Sequence, residues 1–148
     1  MKILSLLLIT ALITAGKTCG QSLESITAIS FVKQSRGFLD EIVISRDSVQ
    51  GFMENHRTPE SSKEYSTGID QDQWAALIFS LKDVSLENLD GLQSPTINRA
   101  HDGAIHSSLE ITFDNGKTIS HSFDDENPHP DLKPLLDAIL LHRLSTQK

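Results

Sequence analysis

Apolar and polar side chains alternate along five stretches of this chain and recur at helical spacing along two others. From Ile26 to Val32 the residues are rich in β-formers and alternate loosely, Gln34-Ser35-Arg36-Gly37 supplies a turn, and Phe38 to Ser45 resumes with Ile42, Val43 and Ile44. This pattern predicts a hairpin. A shorter β-like piece, Val49 to Met53, follows Asp47-Ser48 and predicts a third strand. The polar stretch from Glu54 to Thr67, with Pro59, Ser61, Ser62 and Ser66, reads as a loop.

A helix is announced next. Asp70 stands at an N-cap position, Gln73 three residues on is its reciprocal partner, and Ile69 and Trp74 flank the cap as a hydrophobic staple. Trp74, Leu77, Ile78 and Leu81 then repeat at i, i+3, i+4 and i+7, one apolar stripe that places Trp74 in the core. Leu86, Leu89 and Leu92 suggest a short helical turn ended by Ser94-Pro95, and Thr96 to Gly103 reads as a loop.

Ile105, Ser107, Leu109, Ile111 and Phe113 lie on one face of a strand, as do Ile119, His121 and Phe123 in the next, with Asp114-Asn115-Gly116 between them. A two-residue turn would send the two apolar faces to opposite sides of the sheet. A three-residue loop with Gly116 in a left-handed bulge position instead sets Ile111 against Ile119 and Leu109 against His121, leaving His106, Ser108, Glu110, Thr112, Ser120 and Ser122 on an open polar face. The last helix is expected to be capped by Asp131, to tolerate Pro134 in its first turn, and to run through Leu132, Leu135, Leu136 and Ile139. Leu140, Leu141 and Leu144 broaden its apolar face. The expected fold is α+β: an antiparallel sheet of about five strands with two helices packed on one face, in the order ββ(β)-α-ββ-α.

The start of the chain has a different character. Lys2, the apolar-rich run from Ile3 to Ala15 and the small residues around Thr18 and Gly20 read as a signal peptide over residues 1–20, too short to cross a bilayer permanently. Residues 21–148 are then a single domain, exported to the periplasm or secreted. The alternative cleavage makes Cys19, the only cysteine, a lipidated first residue that anchors the domain to a membrane; without that lipid there is no membrane tether and no transmembrane helix. Removing Lys2 and Lys17 with the leader leaves eleven basic against twenty acidic residues, a formal charge of −9. Such a field repels nucleic acid and favours solubility or capture of a basic protein partner.

Chemistry is sparse in the sequence. Nucleophile elbow, phosphate loop, metal-ligand spacing and cofactor fingerprint are all missing, so neither cofactor nor metal is expected. The histidines of the C-terminal half do not suggest a shared ion, because His121 and His106 fall on opposite sheet faces. In Asp124-Asp125-Glu126-Asn127, Pro128 and Pro130 replace the glycine and distal glutamate that a calcium loop needs. Arg99, Asp102 and Asp124 are the binding candidates, since the loops 96–103 and 123–130 flank the same hairpin end.

The motifs Pro95-Thr96, Arg99, Asp102-Gly103-Ala104 and Ser122-Phe123-Asp124, with prolines before Leu132, resemble a type of small exported bacterial envelope protein of hairpin-helix-hairpin-helix layout. The resemblance implies envelope location and fold and brings no activity with it. This chain departs from that pattern at Asp125 to Pro130, where the family carries a histidine, a glycine and two adjacent prolines. The leading expectation is a non-enzymatic binding module, such as an inhibitor or immunity protein. The alternative is a small hydrolase-like enzyme using residues of the loops 96–103 and 123–130. Mass spectrometry of the protein recovered from its host is expected to find Gln21 at the amino terminus; acylated Cys19 would establish the lipoprotein, and an intact Met1 in a cytoplasmic fraction would overturn both.

Overall fold

The computed structural model describes residues 22–58 and 62–146; the leader with Cys19, and Pro59 and Ser61 of the polar stretch, lie outside these residues. Six strands form one antiparallel sheet: β1 (Ile26–Ser35), β2 (Phe38–Ser45), β3 (Ser48–Asn55), β4 (Lys63–Gly68), β5 (His106–Phe113) and β6 (Thr118–Asp124). Their spatial order is β4-β3-β2-β1-β5-β6, so β1 is central, hydrogen-bonded to its sequence neighbour on one side and to a strand from the far end of the chain on the other. Helix α1 (Gln71–Phe79) connects the two parts and α2 (Lys133–Thr146) closes the chain. Among the described residues no helix is long and apolar enough to cross a membrane.

Strand alternation decides which side the helices cover. Ile29 and Phe31 of β1, Ile42 and Ile44 of β2, Val49 of β3, Leu109, Ile111 and Phe113 of β5 and Phe123 of β6 all point to one face. They form a single buried cluster with Leu77 and Leu81 from the α1 segment and with Leu132, Leu135, Leu136 and Ile139 from the α2 segment. The other face of the sheet carries no member of that cluster.

The bulged hairpin register is present as expected. Ile111 lies opposite Ile119 and Leu109 opposite His121, and Gly116, at φ 78°, donates its N–H to the Phe113 carbonyl at 2.9 Å. Asp70 and Gln73 also form the reciprocal cap: the Asp70 carboxylate accepts from Gln73 N at 2.8 Å and the Gln73 side chain accepts from Asp70 N at 3.0 Å. Helix α1 ends at Phe79, so Leu81 enters the core from the following turn. Trp74 is half-buried at the margin of the cluster and not at its centre.

Three expectations are corrected. The polar stretch from Glu54 to Thr67 is not all loop: β3 extends into it through Asn55, and Lys63–Gly68 forms a fourth strand, which makes the sheet six-stranded. An edge strand has one neighbour and little to bury, so its residues need not alternate in polarity; only Tyr65 in β4 is even half-buried. Asp131 does not cap the last helix. The His129 side chain accepts from Asp131 N at 3.3 Å, and a 3-10 turn, Pro130–Leu132, leads into α2. Leu141 is 68% exposed and does not extend the apolar face, while the Leu144 side chain falls outside the described part.

Tyr65 owes its place to a glycine. Gly51 lies directly opposite it across the β3–β4 pair, and a Cβ on Gly51 would come within 2.0 Å of the tyrosine ring. The ring covers bare backbone and seals the sheet corner against the core. Gly51→Val is expected to destabilise the fold by about 2 kcal/mol by expelling that ring. Chemical denaturation of the single and double variants checks this: with Tyr65→Ala already in place, Gly51→Val should cause a much smaller loss, and additive losses would refute the packing account.

Candidate functional site

Asp124, the last residue of β6, is 4% exposed and organises the loop that precedes β5. The chain from Ser94 bends over the strand end and turns through Asn98–Ala100, which aims two successive N–H groups at the carboxylate. Oδ2 accepts from the Thr96 hydroxyl and from Asn98 N at 2.6 Å. Oδ1 accepts from Arg99 N at 3.0 Å and from Arg99 Nη1 at 3.2 Å. Arg99 Nη1 also donates to the Thr96 carbonyl at 3.1 Å, closing a small ring of contacts.

Burial alone would raise the Asp124 pKa, but the hydrogen bonds from Thr96, the Arg99 and Asn98 backbones and the guanidinium outweigh it and hold the carboxyl at about 2. A carboxylate with four donors and so low a pKa is a poor general base at neutral pH. Its chemistry here is to anchor the loop 96–99.

Of the three binding candidates, the fold brings Arg99 and Asp124 together and leaves Asp102 out. Asp102 has a side chain 91% exposed and lies 3.8 Å from Arg36, which is also exposed. It falls beyond the 3-10 turn, next to Gly103 at φ 79°, where the chain swings away toward β5.

His121 faces the core at 2% exposure, stacked 5.6 Å from the Phe123 ring centre, and its Nε2 accepts from His129 N at 3.4 Å. Burial first, then His129 and Arg99, lower its pKa. A depression of about 520 Å³ opens beside it, lined by Arg99, Asp90, Ser94, Ile97 and Ser122 among others. His101 and His106 are exposed on other parts of the surface. Among the described residues no three His, Cys, Asp or Glu side chains are grouped to hold a metal ion.

A second polar cluster escaped the sequence reading. Lys33 of β1 lies 2.6 Å from Asp125 Oδ1 and 2.9 Å from Glu126 Oε1, while Asp40, opposite Lys33 across the hairpin, lies 2.6 Å from Arg143 of α2. Burial pushes Asp40 up and the Arg143 and Lys33 charges pull it down; the net direction is up. Burial works against the Lys33 charge, yet its hydrogen bonds to Asp125 and Glu126 raise its pKa overall. The cluster ties α2 to the sheet. Its signal was the alternation itself: from the Arg36-Gly37 turn outward, Lys33 and Asp40 occupy helix-facing positions.

No protein-family model and no curated protein matches the chain. Of the sequence motifs, Arg99 and Ser122-Phe123-Asp124 sit around the anchored loop.

Acid should weaken the fold in two windows. His121 and His142 are both held below 6.5 by burial, so the unfolded chain takes up these protons first, and stability is full above about pH 6.5 and falls as pH drops below it. Asp124, lowered from 3.8 to about 2, adds a second loss as pH falls from 3.8 toward 2. Melting temperature measured from pH 7.5 to 2 is expected to fall in both windows; His121→Gln should shrink the first and leave the His142 share, and Asp124→Asn should remove the Asp124 share of the second while lowering stability at neutral pH.

Proposed function

We propose that this chain is an exported, non-enzymatic binding module that captures a basic protein, in the manner of an inhibitor or immunity protein. The leader-like residues 1–20 support export, with the periplasm or the outside of the cell as destination, or a membrane surface if Cys19 carries lipid. The observation that carries the binding reading is the sheet face that no described helix covers. Its strand-borne ionisable groups are Glu41, Glu54, Glu64 and Glu110 together with His106, and Asp124 at its end is consumed by the loop. With a net charge of −7 on the whole chain, this face steers cations toward it and turns phosphate backbones and anionic lipid away.

The test is capture from envelope extract on the immobilised protein, followed by a salt gradient and by rebinding of the purified partner. A partner of basic isoelectric point, bound one to one and weakened about tenfold or more between 50 and 500 mM salt, is the expected result. A partner that is acidic or indifferent to salt, or no partner at all, would remove the reading.

A further inference from the structure

We propose that the row Glu64, Phe52 and Glu41 on the uncovered sheet face is a docking site for an arginine side chain of the partner; this rests on the binding-module reading above. The register is what assembles it. Phe52 of β3 lies directly opposite Glu41 of β2 on one side and Glu64 of β4 on the other, so an aromatic residue stands between two carboxylates on adjacent strands. Opposite residues in an antiparallel pair have Cβ atoms about 4.5–5.5 Å apart, which puts both carboxylates within reach of a cation centred on the phenylalanine. The neighbouring row, Val43, Gln50 and Ser66, completes a groove of about 440 Å³.

A solvated edge of a sheet needs charge to stay soluble, but it needs no aromatic. Phe52 is half-buried on the side away from the core cluster and is held by no helix. Neither Glu41 nor Glu64 forms an ion pair among the described residues, whereas Glu54 further along β3 has His56 at 3.5 Å. The two carboxylates are left for a cation from outside. A guanidinium suits the row better than an ammonium: its plane stacks on an aromatic face, and its N–H groups spread sideways toward acceptors on both flanks. The charge of the row and the aliphatic wall of Val43 match the cationic head and methylene stem of arginine.

The probe is a tetra-arginine peptide, titrated by two-dimensional NMR into the protein as purified from the cells that express it. Shifts centred on residues 41, 52 and 64, and weaker binding of tetra-lysine, are expected. Glu41→Gln with Glu64→Gln should weaken tetra-arginine binding about tenfold, and Phe52→Leu about threefold. Unchanged amide shifts on the helix-covered face verify that each variant is folded. Gln50→Arg, which supplies a competing cation from the next row and removes no carboxylate, should weaken the peptide as well. Shifts centred elsewhere, or undiminished binding by the double variant, would overturn the site. If the salt-sensitive partner from the capture experiment binds the double variant at wild-type strength, the row is excluded while the binding module stands; loss of that partner supports both.

Discussion

One layer of apolar side chains holds this molecule together. A six-stranded sheet has two faces, and the strands supply a continuous apolar surface to only one of them, running from Val49 through Ile44, Ile29 and Ile111 to the partly buried Ile119 across successive strands. Both helices share that face, because the other side offers only scattered apolar residues such as Val43 and Phe52 and no continuous apolar surface. The cover is thin at its margins: Trp74 and Ile78 of α1 are only half-buried, and Phe79 and Leu141 remain exposed. Polar contacts therefore carry the periphery. Asp124 pins the loop 96–99 to one end of the sheet, and Arg143 with Asp40 fixes the last turns of α2 over the first hairpin.

The acidic run after β6 illustrates how neighbours in sequence separate in space. Asp124 turns toward the Thr96 to Arg99 segment, while Asp125, in the left-handed region at φ 51°, and Glu126 turn toward Lys33 on the opposite side of the strand end. Three adjacent carboxylates thus serve two separate anchors.

Much of the fold was legible because local chemistry and periodicity agreed. The Asp70–Gln73 cap, the bulge at Gly116 and the pairing of Leu109 with His121 each follow from a few residues whose geometry admits one arrangement. Strand β4 was not legible, since its order comes from pairing with β3 and from a tyrosine laid over Gly51, neither of which leaves a periodic mark in Lys63–Gly68. His129 replaced Asp131 as cap because a 3-10 turn moved the start of the helix. At the candidate site, Arg99 and Asp124 were readable from the two loops that flank a hairpin end. Asp102 does not join them, because adjacency in a loop carries no information about which way a side chain leaves it.

The position of β1 has a consequence for how the chain reaches this fold. Ile29 pairs with Ile44 on one side and with Ile111, on the far side of α1 and a long connection, on the other. A chain emerging amino end first can build the meander β1 to β4 early, but it leaves β1 as a bare edge and its apolar face uncovered until β5, β6 and α2 arrive. Closing that long loop is slow relative to local pairing. The β1–β5 closure is accordingly expected to be the slow step of folding, and the seal of the core to depend on the carboxyl-terminal strands and α2.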